Sequence, residues 1–385
     1  MISLVLPTYN ESGSIQEVLR RAADALRATG EEFELIVVDD SSPDGTAELA
    51  QALASESSVR VVRRLRRSGL ALAVVDGWHV ARGDVLGVMD ADLQHPPEAL
   101  TSLVAALRNV HVDLVIASRS GPGGGTADWS WIRCMTSWVA MHVAACVLPW
   151  TLAEVCDPMS GMFLVRSRAL QGVRLEPAGY KILLEVLAKG HYREFTEVSY
   201  IFVPRGRGNS KLGIRQSLEY VLHLARLGRS TGQLQTWLRY AAVGFTGALV
   251  NVGVCVFLVQ QAGWPTGLAL AVAIQSALLS NFLWNKVLTF RRAPAWPGNS
   301  RGILARLLRY ERVCGPGAVL NASLTFLLHG SGVTLALAST AGVVLGGAWN
   351  LFFNVPTIWR TWGLHSSRSE VTVPASVRPA GSVRL

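Results

Sequence analysis

Short apolar runs alternate with amphipathic segments along the first part of the chain. Runs rich in Val, Ile and Leu are typical of buried strands and occur at Ile2–Leu6, Glu34–Val38, Val59–Val62, Val85–Met89 and Leu114–Ser118. Apolar residues recur with helical spacing at Ser14–Thr29, Ala47–Glu56, Ala71–Ala81 and Pro97–Val110. This alternation predicts an α/β fold with a parallel, doubly wound sheet. Ligands of such sheets bind beyond the carboxyl ends of the strands.

Longer apolar stretches follow Arg239, at Ala241–Ala262, Gly267–Leu288, Val313–Leu328 and Thr334–Phe353. The first two have the length of about 20 residues that a bilayer crossing needs, and the third is shorter. The stretches also repeat: Arg239-Tyr240 recurs as Arg309-Tyr310, Asn251 as Asn321, and Asn281 with Asn285 as Asn350 with Asn354. We therefore predict an all-α transmembrane domain of four helices, made of two repeated hairpins.

Irregular segments connect these two parts. Trp129–Leu152 is apolar with scattered polar residues, which favours an amphipathic helix in the membrane interface. Ser210–Arg239 is basic and amphipathic, and the last residues are rich in Ser, Pro and Arg, as in disordered tails. We predict a catalytic domain over residues 1–209, an interfacial connector over 210–238, a transmembrane domain over 239–362 and a disordered tail over 363–385.

Composition supports this division. The 385 residues are 50% hydrophobic and only 16% charged, whereas soluble domains carry about 25% charged residues. Acidic residues are frequent up to Glu219, and after it only Glu311 and Glu370 occur. A purely soluble enzyme and a purely membrane-embedded protein are both excluded.

The charge balance indicates where the domains lie. The net charge is +9, and arginines crowd around the apolar segments, which favours anionic lipids over nucleic acid as the partner. The connections Gln260–Thr266 and His329–Val333 contain no Lys or Arg, whereas the opposite ends of the predicted spans are basic. The positive-inside rule then places the front domain and both termini in the cytoplasm, in an integral protein of the plasma membrane.

Acidic side chains follow three of the predicted strands. Asp90, Asp92 and Gln94 end the fourth strand, and their oxygens can converge on one hard divalent cation. Asp39 ends the second strand, where a carboxylate can accept hydrogen bonds from a nucleobase or a ribose. The segment Pro7-Thr8-Tyr9-Asn10-Glu11 ends the first strand. Each segment alone could be a turn that caps a helix, but all three together favour a ligand site.

These motifs resemble those of family-two glycosyltransferases with the nucleotide-sugar A-type fold. The segments 37–46 and 90–98 carry that resemblance, and Asp157-Pro-Met-Ser160-Gly161-Met-Phe163, Gly179-Tyr180-Lys181 and Arg205…Ser210-Lys211 narrow it to polyprenol (dolichol) phosphate mannose synthases. The back half resembles GtrA-like membrane domains at Arg239-Tyr240 and Asn281-Phe282-Leu-Trp-Asn285-Lys286. One departure is Gly69-Leu70-Ala71, where such enzymes often have a second glycine in place of Ala71.

The resemblance implies inverting transfer of mannose from GDP-mannose to a polyprenyl or dolichyl phosphate at the bilayer. It implies Mg²⁺ or Mn²⁺ held by Asp90, Asp92 and Gln94. Residues implied at the nucleotide sugar are Pro7, Tyr9, Glu11, Asp39, Asp90, Gln94, Arg205 and Lys211. Residues implied at the lipid phosphate are Arg119, Arg133 and Ser210, and those implied in catalysis are Asp92, Arg119 and Arg133. We also expect contacts between copies of the chain in the membrane.

Two other functions stay open at this stage. A polyprenyl-phosphate glucosyltransferase that uses UDP-glucose is the nearest alternative, because GtrA-like segments accompany such enzymes too. The other is a lipid transporter or flippase with a degenerate catalytic head, although the predicted spans hold few of the carboxylates that mark proton-coupled carriers.

Overall fold

We describe a computed structural model of the chain, in which residues 1–54, 58–120, 123–126, 131–152, 154–177, 181–203, 214–289 and 300–360 are described. They fall into two compact units. The α/β unit comprises Met1–Ser137 and Val155–His223, and the helical unit comprises Trp138–Glu154 and residues 224–360.

Strands and helices alternate in the α/β unit as the sequence predicts. Its strands are β1 (Ile2–Thr8), β2 (Phe33–Asp39), β3 (Val59–Arg63), β4 (Val85–Val88), β5 (Val112–Ser118), β6 (Gly125–Thr126), β7 (Phe163–Arg166), β8 (Glu194–Ser199) and β9 (Ile201–Phe202). Its first helices are α1 (Ile15–Arg27), α2 (Thr46–Ala52), α3 (Leu70–His79) and α4 (Ala99–Leu107). All five predicted strands and all four predicted helices are confirmed.

Seven of these strands form one sheet in the order β3-β2-β1-β4-β7-β5-β8. β1 pairs in parallel with β2 and β4, and β5 pairs in parallel with β8. The exception is β7, which lies antiparallel between β4 and β5 and was not predicted. The predicted doubly wound parallel sheet is therefore confirmed with one inserted antiparallel strand.

Both faces of the sheet are covered, which explains its continuous apolar strands. Leu4 and Leu35 point to the face that carries α1 and α4, where they belong to the main core. Val5 and Val38 point to the opposite face, against α3. A Cβ on Gly77 of α3 would come within 2.6 Å of Val5 Cγ1, so this glycine lets the helix lie close to the sheet.

The predicted interfacial helix and the predicted connector differ from the structure in detail. Trp129–Leu152 contains two helices, α5 (Trp131–Val147) and α6 (Pro149–Leu152), because the chain bends at Leu148 before a proline begins the second helix. After α7 (Ile182–Lys189), α8 (Ile214–Ser230) ends at a turn where Gly232 has a φ of 71°. The next helix begins at Gln233, so residues 233–238 of the predicted connector already belong to it.

The helical unit is built from two hairpins of long helices. α9 (Gln233–Gln260) packs along α10 (Thr266–Trp284), which continues as a π-helical turn at Asn285–Thr289. α11 (Ser300–Gly330) packs along α12 (Leu335–Arg360), and α9 also contacts α12.

In the described part of the chain, two helices are long and apolar enough to cross a membrane, namely Gln233–Gln260 and Thr266–Thr289. The predicted count of four spans is not confirmed. The apolar part of α12 in the described residues, Leu335–Leu351, is shorter. α11 is not among the two either, and polar or helix-breaking residues such as Asn321 and Pro316 interrupt its apolar sequence.

Candidate active site

The carboxyl ends of the parallel strands lie at one edge of the sheet, and the candidate residues follow them. Tyr9 follows β1, Asp40 follows β2, Asp90 lies just beyond β4, Arg119 follows β5 and Tyr200 follows β8. The antiparallel β7 begins at the same edge, so the segment 157–161 before it also lies there. The topology therefore brings most of the predicted site residues together, and it adds Asp157 and Tyr200.

The ends of β1 and β2 are bound to each other by side chains. Asp39 is 3% exposed and accepts hydrogen bonds from Ser42 Oγ at 2.6 Å and from Thr8 Oγ1 at 3.2 Å. The Arg67 guanidinium lies 3.9 Å from the centre of the Tyr9 ring. The backbone N–H of Glu11 donates to Thr46 Oγ1 at 3.0 Å. Hydrogen bonds through Thr8 and Thr46 therefore join the loop after β1 to the loop after β2.

Asp40 fastens the loop in which this sequence departs from the resembled enzymes. Its carboxylate accepts from Arg64 Nη1 at 2.7 Å and from the backbone N–H groups of Ser68 and Gly69 at 3.0 and 2.9 Å. Gly69 has a φ of 97°, which only glycine adopts easily. Ala71 is completely buried, so its methyl group packs inside the α/β unit.

Three loops at this edge contain a non-glycine residue with positive φ. These residues are Asn10, Ser41 and Leu93, with φ values of 56°, 62° and 59°. Such conformations cost of order 1 kcal/mol or more and cluster where a binding surface is pre-organised. At Leu93 the turn lets Asp92 Oδ1 accept the backbone N–H of Gln94 at 3.1 Å.

Asp90 and Asp92 have the chemistry of a divalent cation site. Both are only partly buried, and their carboxylate oxygens are hard ligands. A Cβ on Gly161 would overlap the Asp90 carboxylate, so the absence of a side chain at that position leaves it room. Gln94 is 6% exposed, and its amide nitrogen donates to the Val203 carbonyl at 3.4 Å.

No group of three or more His, Cys, Asp or Glu side chains that could hold a metal ion occurs within the described ranges. The candidate protein ligands are therefore two carboxylates with the Gln94 oxygen. This fits Mg²⁺, which proteins often bind through one or two carboxylates together with substrate phosphates.

His95 supports the site from inside the fold. It is 2% exposed, stacks on Tyr200 at a centroid distance of 5.3 Å and meets Phe202 edge-on at 5.2 Å. Its Nε2 lies 3.5 Å from Asp90 Oδ2. The ring is thus held between two aromatic side chains.

Arg119 forms a buried, bidentate ion pair with Asp157. Its Nε and Nη2 each donate to the carboxylate at 2.7 Å, and its backbone N–H adds a third bond at 3.0 Å. Burial opposes the charge on each partner, but the pair outweighs it, raising the pKa of Arg119 and lowering that of Asp157. Glu197 in turn accepts the backbone N–H groups of Cys156 and Asp157 at 2.9 to 3.1 Å. Burial raises the pKa of Glu197.

Arg119 and Arg133 are brought to the same aromatic ring. The two guanidinium groups lie 5.4 and 5.9 Å from the centre of Phe202. The negative charge of Asp90 also acts on Arg119 and raises its pKa further. Arg119 and the predicted metal ligand Asp90 therefore share one electrostatic site, and Arg133 lies at the same aromatic ring as Arg119.

Lys181 is a further member of this site whose contribution was not predicted. Its Nζ donates to the Met159 carbonyl at 2.6 Å. Burial and the nearby charge of Arg119 lower its pKa to about 8, against the opposing effect of Asp90, Asp157 and Asp92. The sequence did contain a signal for it, because Lys181 belongs to the motif Gly179-Tyr180-Lys181. The predicted residues Arg205, Ser210 and Lys211 lie outside the described residues.

The comparisons with known proteins agree with both units. Residues 3–173 match the family described as Glycosyl transferase family 2, and residues 239–359 match the GtrA/DPMS transmembrane domain. A dolichol-phosphate mannosyltransferase of Pyrococcus furiosus is 38% identical over 94% of this chain and 99% of its own length. The chain belongs to the dolichol-phosphate mannosyltransferase family. It is therefore a glycosyltransferase, and its transmembrane domain makes it a membrane protein.

Two other relatives match a smaller share of this chain. The dolichol-phosphate mannosyltransferase of Saccharomyces cerevisiae is 35% identical over 58% of this chain and 86% of its own length. The undecaprenyl-phosphate mannosyltransferase of Micrococcus luteus is 35% identical over 58% and 92%. A solved mannosyltransferase of Pyrobaculum calidifontis, in complex with GDP-Man and Mn²⁺, is 16% identical over 91% of this chain and 86% of its own, with a TM-score of 0.40.

Proposed function

We propose that the protein transfers mannose from GDP-mannose to the phosphate of a polyprenyl or dolichyl phosphate. The observation that carries this proposal is the juxtaposition of two kinds of charge at one sheet edge. Asp90 and Asp92 present carboxylates, and Arg119 and Arg133 present guanidinium groups around Phe202. Relatives named for polyprenyl-phosphate mannose transfer support the choice of acceptor and sugar.

On the donor side, Asp90, Asp92 and Gln94 would hold Mg²⁺ or Mn²⁺, whose charge would stabilise a diphosphate leaving group. Pro7, Tyr9, Glu11 and Asp39 belong to the loops that would line the nucleotide pocket, and Arg205 and Lys211 are proposed to bind its phosphates. The bonds from Thr8 and Ser42 hold the Asp39 carboxylate in one orientation before any ligand binds.

On the acceptor side, the reaction needs no catalytic base. A phosphate monoester has a second pKa of about 6, so its oxygen is already largely ionised at neutral pH. The protein has to align this oxygen with the anomeric carbon and neutralise its charge. Arg119, fixed by Asp157, and Arg133 are suited to that task, and we propose Ser210 as a further contact. Direct attack on the anomeric carbon gives inversion.

The membrane arrangement is part of the same proposal. We propose four spans in two hairpins, with the α/β unit at the cytoplasmic face of the plasma membrane, where the basic ends of the helices favour it. Contacts between copies of the chain would be made by the helical unit.

The proposal is tested with purified full-length protein in detergent, radiolabelled GDP-mannose, a short polyprenyl phosphate and Mg²⁺ or Mn²⁺. We expect label in the organic phase that chelation abolishes and that Asp92→Ala reduces by at least about 100-fold. Asp24→Ala is the matched control. It removes an exposed carboxylate that is distant from Asp92 in the sequence, and it should keep activity.

Two outcomes would reject the proposal in different ways. Label transferred from UDP-glucose but not from GDP-mannose would keep the site and replace the sugar. No transfer from any nucleotide sugar, with a folded protein, would favour the transporter with a degenerate catalytic head.

A further inference from the structure

The helical unit contains a cavity of about 120 Å³ at the centre of its sequence repeat. Side chains from all four long helices line it, and they come in pairs that the repeat relates. The pairs that matter here are Tyr240 with Tyr310, Asn251 with Asn321 and Asn281 with Asn350. The cavity therefore has the internal symmetry of the two hairpins.

The lining of this cavity is polar but carries no charge. Five asparagine side chains and two tyrosine side chains line it, and no Lys, Arg, Asp or Glu belongs to the part of the lining that the structure describes. Carboxamides and phenols are suited to hydrogen bonds with neutral groups. A phosphate or a metal ion would find no opposite charge here.

Two of the amide oxygens on lining residues are not satisfied by the described part of the protein. Asn281 Oδ1 and Asn350 Oδ1 are buried and have no hydrogen-bond partner within the described part of the chain. The oxygens of the other described asparagines are engaged, since Asn251 accepts from Ser339 at 3.3 Å and Asn321 from Thr325 at 3.2 Å. One unsatisfied amide oxygen of a lining residue therefore belongs to each hairpin.

Glycines make room for these two amides. A Cβ on Gly247 would overlap the side chain of Asn281, and a Cβ on Gly317 would come within 2.7 Å of Asn350 Oδ1. The repeat thus pairs each amide with a glycine on the preceding helix. In each hairpin, the glycine lets the two helices pack closely around a polar side chain.

We propose that the helical unit binds a neutral, hydroxyl-rich group in this cavity, with its hydroxyls donating to Asn281 Oδ1 and Asn350 Oδ1. A bound water needs about 10–15 Å³ of cavity volume, so a cavity of about 120 Å³ has room for a small polyol or one face of a sugar ring. The same chemistry occurs on a free sugar and on the headgroup of a glycolipid. The site is independent of the proposed transfer reaction.

The test uses the full-length protein in a polyoxyethylene detergent, which carries no sugar. Binding of radiolabelled octyl mannoside and of free mannose is measured at equilibrium, with saturating GDP-mannose present to occupy the active site. We expect saturable binding that weakens at least tenfold in the double variant Asn281→Leu/Asn350→Leu. Binding of octyl mannoside alone would identify a glycolipid headgroup as the ligand, and equal binding of mannose would identify a free sugar.

A second variant keeps the test valid if the double variant does not fold. Gly347 lines the cavity, and an added Cβ there meets no atom within 4 Å, so Gly347→Leu fills the space without removing an amide. Gly253→Leu is the matched control, since a Cβ there also meets no atom and the residue lies outside the lining. No saturable binding, or binding that survives Gly347→Leu unchanged, would overturn the proposal.

Discussion

The ion pair between Arg119 and Asp157 gives the sharpest test of how the active site is held. The side chains are 12% and 1% exposed, and three N–H groups of Arg119 donate to the one carboxylate. Asp157→Asn keeps the shape of the side chain but removes its charge and turns an amide NH₂ towards a donor. The Arg119 charge is then left buried without compensation.

The expected loss follows from burial. Removing one partner of a buried ion pair costs about 3–5 kcal/mol, because the remaining charge stays desolvated. For a domain of this size, that corresponds to a fall in Tm of roughly 6–20 °C, at about 2–4 °C per kcal/mol. The control Asp24→Asn breaks the exposed pair with Arg27 and should cost no more than about 1 kcal/mol.

Thermal unfolding of the purified variants in detergent measures both losses. Asp157→Asn/Arg119→Met removes both charges and should recover part of the stability that Asp157→Asn loses. If Asp157→Asn unfolds with the same Tm as the parent, or if the double variant shows no recovery, the ion pair does not stabilise the segment 157–161.

Three further predictions concern other residues of the α/β unit. Burial would raise the pKa of Asp113, but the bonds from Arg193 and Arg168 hold it below its usual value; its stabilisation is therefore present above the unfolded pKa of about 3.9 and lost as the pH falls through the folded pKa. In Asp113→Asn, the free energy of unfolding measured with urea should fall less steeply as the pH is lowered through the acid range. The same pH dependence in the variant and the parent would contradict this. Gly161→Ala places a Cβ on the Asp90 carboxylate and should lower transfer by about 100-fold, whereas Gly125→Ala, where a Cβ meets no atom within 4 Å, should not; equal activities would refute the constraint. Glu197→Ala removes both acceptor oxygens for the N–H groups of Cys156 and Asp157 and should cost about 1–3 kcal/mol of stability. Because the change disturbs Arg119 through Asp157, steady-state kinetics should show KM for the lipid phosphate rising more than KM for the donor.

The front half of the fold was predictable because its strands are buried on both faces. Runs such as Ile2–Leu6 and Glu34–Val38 are continuous and apolar, so each run marks the position of one buried strand. β7 was not predicted because Phe163–Arg166 has only four residues and does not belong to the regular alternation of strands and helices. Its insertion between β4 and β5 depends on pairing that no local pattern reveals.

The site was predictable where the strand ends carry the acids, but not where side chains reach it from elsewhere. Asp90 and Asp92 follow β4, so their position was evident from the sequence. The partner of Arg119 was not, since Asp157 is distant in sequence and reaches the edge only through β7. The role of Glu197 depends on the parallel pairing of β8 with β5, which also had no local signal.

Burial divides the acids at this edge into two groups with different tasks. Asp40 and Asp157 are at most 4% exposed and accept three or more hydrogen bonds that fasten neighbouring loops. Asp90 has a side chain 29% exposed and lies against a position without a Cβ. Because an acid whose lone pairs are saturated by the protein cannot bind a cation without unfastening its loop, the first group sets the geometry. Asp90 is exposed enough to meet the substrate, so its substitution should lower activity with a smaller loss of stability than substitution of Asp40 or Asp157.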